Sequence, residues 1–419
     1  MNVLAKTINY LWLHLWQYGA TRRRHERLLK QLRKEQRPVK VVFVAIDVAY
    51  WRYQHVYELM KTDSRFLPTI VLSPCIGHKQ REQEMERLRA YFDARGTDYI
   101  DYDFNGKPFD IRGKIVPDMV FFPQPYEHLL CAEHDCLNFY DRLTCYMPYA
   151  FWVSTGKLSY NMHFHNLAWR IYHCTSLHLK EAQRVATNKG RNVRVVGYSN
   201  ADDFLRPHHD DPWRPMADGK KRKRIVWAPH FSIIAKSSTL PARSNFLWMA
   251  DLMAALAKEY SDRIQIAFKP HPGLLTELYK HPEWGRQRAD AYYQLWRQMP
   301  NTQLADGPFK DLFQGSDAMV HDSGSFVVDY LYFNRPVMYV TRDIQRAKSF
   351  VNLPGQEAYD AHYVGATLDE VEHFIDDVVL AGHDTMTSVR QAFYDRFLAR
   401  PNGKTVAENM YQDILTSLF

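Results

Sequence analysis

From Val39 onward the chain alternates short, nearly all-apolar runs with longer charged or amphipathic ones, and this rhythm restricts it to an α/β fold. Residues 39–46 set the pattern. Only Lys40 in that run is charged, as expected of a strand buried on both faces of a parallel sheet. Further strands are expected at 67–72, 98–102, 118–122, 143–146, 171–173 and 193–196, with helices at 51–60, 79–92 and 175–186. Residues 200–223 break the rhythm with Pro207, Pro212, Pro215, Gly219 and the polar run His208-His209-Asp210-Asp211, and read as a linker. A second set follows, with strands at 225–228, 264–268, 302–305, 318–320 and 336–340 and helices at 246–260 and 289–299. With 419 residues the chain can build two cores. The expected organisation is a basic amphipathic helix (1–37), an N-terminal α/β domain (38–199), the linker (200–223), a C-terminal α/β domain (224–366) and closing helices (367–419).

The formal net charge of +7 is concentrated at one end. Residues 1–40 hold ten Lys/Arg against Glu26 and Glu35, a net of +8, which leaves about −1 for the rest. A general nucleic-acid surface is therefore not expected. Leu4, Ile8, Leu11, Leu15 and Tyr18 recur at helical spacing, with Trp12 and Trp16 beside them. Asn9, His14 and Gln17 interrupt the apolar part, which is too short and polar to span a bilayer. The arginines follow the apolar stretch and no small-residue cleavage site does, so a secretory signal is not expected. The pattern fits best a helix lying in an anionic membrane surface, and packing on the globular body is the competing role. Five cysteines with no CxxC pair suggest neither a zinc site nor a disulfide framework, and fit a reducing cytoplasm.

Two motifs carry the chemistry. Lys269-Pro270-His271-Pro272 follows the strand at 264–268, and His321-Asp322-Ser323-Gly324-Ser325 follows the strand at 318–320 and opens into a helical run. A small, hydroxyl-rich turn before a helix offers unpaired N–H groups to a phosphate. A histidine at a strand end adds a donor whose charge changes near neutral pH. Lys269, His230, Asp322, Ser323, Gly324 and Ser325 are the expected donor-binding residues, at carboxyl strand ends where open α/β sheets hold nucleotides. Plain helix capping by Ser323 or Ser325 is the competing role.

The ordered blocks resemble the CDP-glycerol glycerophosphotransferase family, the polyol-phosphate transferases of teichoic acids and capsules. The matching pieces are Val196-Gly197-Tyr198-Ser199-Asn200-Ala201-Asp202, Trp227-Ala228-Pro229, the Lys269 and Asp322 motifs, Ser316-Asp317, Asp329 and Arg335-Pro336-Val337-Met338-Tyr339. The resemblance spans about residues 195–342 and reaches the first domain only in outline. It implies a GT-B-like fold of two doubly wound Rossmann-type domains facing across a cleft, which Val196 to Asp202 and Pro229-His230 would line. It also implies transfer of glycerol phosphate or a similar unit from a CDP-polyol donor to a lipid-linked or polysaccharide acceptor, releasing CMP, on the cytoplasmic face of the membrane. No cofactor or metal is required.

In that scheme His271 stabilises the phosphoryl charge or donates to the leaving CMP. Members of the family carry a His-Gly pair at a first-domain strand end. The equivalent stretch here, Cys145-Tyr146-Met147-Pro148-Tyr149-Ala150, has no histidine, and His163 or His165 just downstream is the expected substitute base. A glycosyltransferase using a CMP-sugar (sialic acid or Kdo) keeps the same fold and is the second reading, with Ala305-Asp306-Gly307 in its favour. A UDP- or GDP-sugar transferase and an inactive membrane-attached assembly partner are the others.

Overall fold

The computed structural model of the chain describes residues 3–156, 159–206, 211–234 and 244–419. The apolar side chains at 4–15 and residues 207–210 of the expected linker lie outside what is described. The chain forms two compact units: residues 1–202 with 399–419, and residues 203–398.

The first unit is built on a six-stranded parallel sheet: β1 (Val39–Ala45), β2 (Phe66–Leu72), β3 (Met119–Phe122), β4 (Leu143–Tyr146), β5 (Arg170–His173) and β6 (Val193–Val195), in the order β2-β1-β3-β4-β5-β6. The second unit repeats the design with β7 (Lys223–Ala228), β8 (Ile264–Phe268), β9 (Thr302–Leu304), β10 (Ala318–His321), β11 (Val337–Val340) and β12 (Tyr363–Gly365), in the order β12-β11-β10-β7-β8-β9. Most central strands are fully buried, which is why they read as continuous apolar runs. Two expectations change. Residues 98–102 contribute only an isolated bridge between Val71 and Ile100, and β12 escapes the sequence because its three residues are half exposed and too short for a pattern.

Aromatic rings fill the second core. Trp227 on β7 lies 4.8 Å from Phe268 and 5.8 Å from Phe246, with Tyr292 and Trp296 closing the cluster from the helix Gly285–Gln298. These rings bury large apolar areas, and the Tyr292 hydroxyl donates to the Ala250 carbonyl at 2.7 Å.

The helix Val3–Glu35 packs part of its length on the first unit. Thr21, His25, Leu28 and Leu32 form one buried stripe at helical spacing, and the His25 ring donates to the Tyr140 carbonyl at 3.0 Å. Arg37 then grips Asp118 with two bonds of 2.6 and 2.8 Å, fixing where the chain turns into β1. Among the described residues no helix is long and apolar enough to cross a membrane.

Residues 367–419, expected as one set of helices, divide at Ala399, and the last helix, Val406–Leu418, returns to the first unit. Asp202 explains the return. Its carboxylate is buried and accepts from the N–H groups of Val406 and Ala407, both at 2.9 Å, satisfying donors that a helix start leaves open. Gly197 sits close by with φ +104°, and a Cβ there would come within 3.1 Å of Val406. The 196–202 block, expected to line the cleft, thus spends Gly197 and Asp202 on anchoring the terminal helix. Asp202→Ala should cost about 1–3 kcal/mol of unfolding free energy. Urea denaturation followed by circular dichroism checks this, and an unchanged midpoint would refute the anchor.

Candidate functional site

Where strand order reverses in an open parallel sheet, the loops on either side diverge and leave a crevice at the carboxyl ends. In the second sheet β8 and β9 extend to one side of β7, and β10, β11 and β12 to the other, so the reversal lies between β7 and β10. Pro229-His230 leaves β7, Asp322-Ser323-Gly324-Ser325 leaves β10, and Lys269-Pro270-His271-Pro272 leaves the neighbouring β8. Three separate pieces of sequence therefore meet at three adjacent strand ends.

Asp322 joins them. Its buried carboxylate accepts from the His230 N–H and the Asn245 N–H, each at 2.5 Å. The Asn245 side chain in turn donates to the Val340 carbonyl at the end of β11, 2.8 Å away. Burial pushes the Asp322 carboxyl up to about 6 against the pull of its hydrogen bonds. Sequence reasoning placed Asp322 on a ligand; the structure makes it the brace of the loops. Asn245 went unnoticed because a single Asn before a helix reads as a cap, and here its side chain makes no cap bond.

The two histidines beside this brace share one protonation pattern. His271 Nδ1 accepts from the Gly273 N–H at 3.0 Å, and His230 Nδ1 accepts from the Ser232 N–H at 3.3 Å. Each neutral ring therefore carries its proton on Nε2. The rings lie 5.1 Å apart, and Phe231 packs against both at 4.4 and 4.5 Å. Burial, helped by the nearby Lys269 ammonium, lowers the His271 pKa and keeps the ring neutral. Burial also brings Lys269 down to about 8. Its ammonium donates to the carbonyls of Gly307 at 2.8 Å and Ala305 at 3.3 Å. The Ala305-Asp306-Gly307 segment is accounted for by holding this lysine.

The turn after β10 is open. Ser323 is buried, Gly324 and Ser325 are exposed, and a Cβ on Gly324 would meet nothing within 4 Å. Among the described residues no group accepts from the backbone N–H of Ser323, Gly324 or Ser325. Ser325 stands at the start of the helix Phe326–Asp329 without a side-chain cap bond, so the capping role is not the one it plays. His321 supports the turn from below, donating from Nδ1 to the Ser323 carbonyl at 3.1 Å. Other motif residues are structural. Ser316 bonds the Phe313 carbonyl and the Tyr330 hydroxyl, Asp317 accepts from the Arg224 N–H, and Arg335 donates to the carbonyls of Phe313, Gln314 and Ser316.

The expected substitute bases belong to the first unit, and the His165 Nε2, which has no hydrogen-bond partner, is buried. His163 has Nδ1 2.5 Å from Glu127 Oε1 and Nε2 3.1 Å from Gln17 Oε1. Burial pushes the Glu127 carboxyl up, but bonds from His163 and Tyr140 outweigh it and hold the carboxyl below its ordinary value. His165 is buried, its Nδ1 accepts from the Met162 N–H at 3.1 Å, and desolvation drives its pKa down to about 4. His163 thus ties Gln17 of the N-terminal helix to Glu127, and His165 shapes a turn. Among the described residues no three His, Cys, Asp or Glu side chains are grouped as metal ligands would be.

A carboxyl held above its ordinary 3.8 binds its proton more tightly in the folded than in the unfolded chain. The stability that Asp322 contributes is therefore fully present below about pH 4 and is lost as pH rises through about 6. Asp322→Asn abolishes this titration, so the variant should gain on the wild type by about 3 kcal/mol between about pH 4 and pH 7. Urea curves for both proteins across that range check the slope. A difference that does not change with pH would sink the assignment.

The fold is GT-B-like, as comparison with solved structures shows. A variant of the wall teichoic acid polymerase TagF aligns with TM-score 0.58 at 12% identity, covering 98% of this chain and 98% of that one. S. aureus MnaA with UDP aligns at 0.54 and 15%, covering 91% and 98%. UDP-GlcNAc 2-epimerase from Neisseria meningitidis, bound to UDP-GlcNAc, aligns at 0.52 and 13%, covering 91% and 99%. No curated protein matches by sequence. A family model, CDP-Glycerol:Poly(glycerophosphate) glycerophosphotransferase, matches residues 176–416. That match takes in all three strand-end motifs and more than half of the chain, which thus belongs to this glycerophosphotransferase family and is a transferase.

Proposed function

We propose that the chain moves a glycerol-phosphate or similar polyol-phosphate unit from a CDP-linked donor to a hydroxyl acceptor in cell-surface polymer synthesis, releasing CMP. The observation that carries this reading is the pairing of two Nε2–H imidazoles with an open backbone turn at the strand-order reversal, inside the region the family model covers. Such a site supplies neutral donors and unpaired N–H groups, the equipment for holding a diphosphate.

In the reaction the acceptor oxygen forms a bond to the β-phosphorus while the bond from that phosphorus to the CMP oxygen breaks. The acceptor proton leaves to a general base or to water. His271 donates from Nε2 to the phosphoryl or departing CMP oxygen, and His230 stands beside it as a second donor. Lys269, at about 8, is mostly charged at neutral pH and adds positive potential. The turn from Ser323 to Ser325 receives the diphosphate through its N–H groups. Positioning and charge neutralisation provide most of the rate in phosphoryl transfer. The protein works at the cytoplasmic face of the membrane, held there by its basic N-terminal helix, with a lipid-linked or polysaccharide acceptor.

His271→Ala should lower turnover about a hundredfold or more while the fold persists, on the scale of losing an acid or charge-stabilising group. Near-normal turnover in a CMP-release assay would remove His271 from the chemistry. Gly324→Ala should leave the unliganded melting temperature unchanged, because its methyl enters open space. If the turn receives the diphosphate, the same change weakens CDP-glycerol binding about tenfold, or about 1.4 kcal/mol. Calorimetric titration with CDP-glycerol, CMP, a CMP-sugar and UDP measures this, and binding of only the CMP-sugar or UDP would reassign the donor.

A further inference from the structure

On the side of the first unit covered by the N-terminal helix lies a groove of about 940 Å³, outside the carboxyl strand ends where the chemistry was sought. Four arginines line it: Arg24 and Arg27 from the helix, Arg112 from the turn before β3, and Arg142 from the residue before β4. One acidic side chain, Asp141, faces them, leaving a net of +3 from four positive charges and one negative. That carboxylate is already occupied. Arg112 holds it with two bonds of 2.8 and 2.7 Å. The Arg142 Nε forms an ion pair with the same carboxylate at 3.6 Å, beyond hydrogen-bond distance. Among the described residues no carboxylate pairs with Arg24 or Arg27, both of which are exposed.

Four guanidinium groups around one carboxylate leave an excess of positive charge in a concave site, which attracts an anion. Guanidinium groups converging on a concave, polar site match the oxygens of a phosphate ester. We propose that this groove binds the phosphate of an anionic lipid headgroup. The inference rests on the membrane attachment proposed above and gives it a specific site.

The helix favours a lipid over a soluble phosphate ester. Trp16, 58% exposed, stands at the rim of the groove. From there the helix continues back to Val3 through a sequence carrying Leu4, Ile8, Leu11, Trp12 and Leu15. An apolar helical arm joined through tryptophan to arginines is the order that an interfacial helix needs, with acyl chains at one level and phosphates at the next. The buried stripe of Thr21, His25, Leu28 and Leu32 holds the arginine-bearing part of the helix on the sheet, so the groove is built before any lipid arrives.

The test is co-sedimentation of the full-length chain with vesicles of phosphatidylcholine alone or mixed with phosphatidylglycerol. Two charge-matched variants are compared: Arg24→Gln/Arg27→Gln inside the groove, and Arg23→Gln/Lys30→Gln on the same helix outside its lining. Every lost cation near an anionic surface weakens binding by about 1 kcal/mol, so both variants bind less. The groove pair should lose about tenfold more than the control pair, with an unchanged melting temperature because both arginines are exposed. Equal losses would overturn the groove and leave diffuse membrane attachment standing. Failure of the wild type to bind phosphatidylglycerol vesicles would overturn both. If glycerol 3-phosphate displaces the wild type from vesicles and raises its melting temperature, but not that of the groove pair, the site takes a soluble phosphate ester and the lipid assignment is wrong.

Discussion

One buried carboxylate holds the candidate site together. Asp322 accepts the N–H of His230 at the end of β7 and of Asn245 at the start of the next helix, and Asn245 carries the tie on to β11. Without that brace, the loops at the strand-order reversal would have backbone donors and no shared acceptor. Burying the charge has a cost, expressed as an acid lifted to about 6. Natural folds tolerate such a cost where a geometry must be kept.

The rest of the site follows from the same economy of hydrogen bonds. Backbone N–H groups two residues downstream occupy Nδ1 of both His230 and His271, which places the proton of each neutral ring on Nε2. Lys269 is spent partly on two carbonyls, and its lowered pKa makes its charge responsive to a nearby anion. The open turn completes the set with N–H groups that no described residue uses. The arrangement neutralises charge and orients a diphosphate, and it belongs to one compact unit.

Motif residues divide into two kinds that look alike as letters. His271, Gly324 and Ser325 face an unfilled space or carry a free donor. Asp202, Gly197, Ser316, Asp317 and Arg335 answer donors or acceptors of the backbone itself. Asp202 shows how the second kind arises. A helix start 204 residues away leaves open N–H groups, and a buried carboxylate is the cheapest way to satisfy them. The partners of His163 could not be foreseen for the same reason, since Glu127 and Gln17 lie 36 and 146 residues off.

What the sequence determined alone was local and periodic. Continuous apolar runs marked nearly every strand of two parallel sheets, and the two motifs at strand ends fell where such sheets place ligands, because burial on both faces writes itself directly into composition. Short, half-exposed β12 left no such mark. Tertiary structure decided the rest: which ring nitrogen accepts from the backbone, that Asp322 braces the loops, that the last helix belongs with the first sheet, and that four arginines share one groove. Each of these depends on partners far apart in the chain, and a hydrogen bond or a buried charge is set by what folding brings within about 3 Å, which spacing along the sequence does not encode.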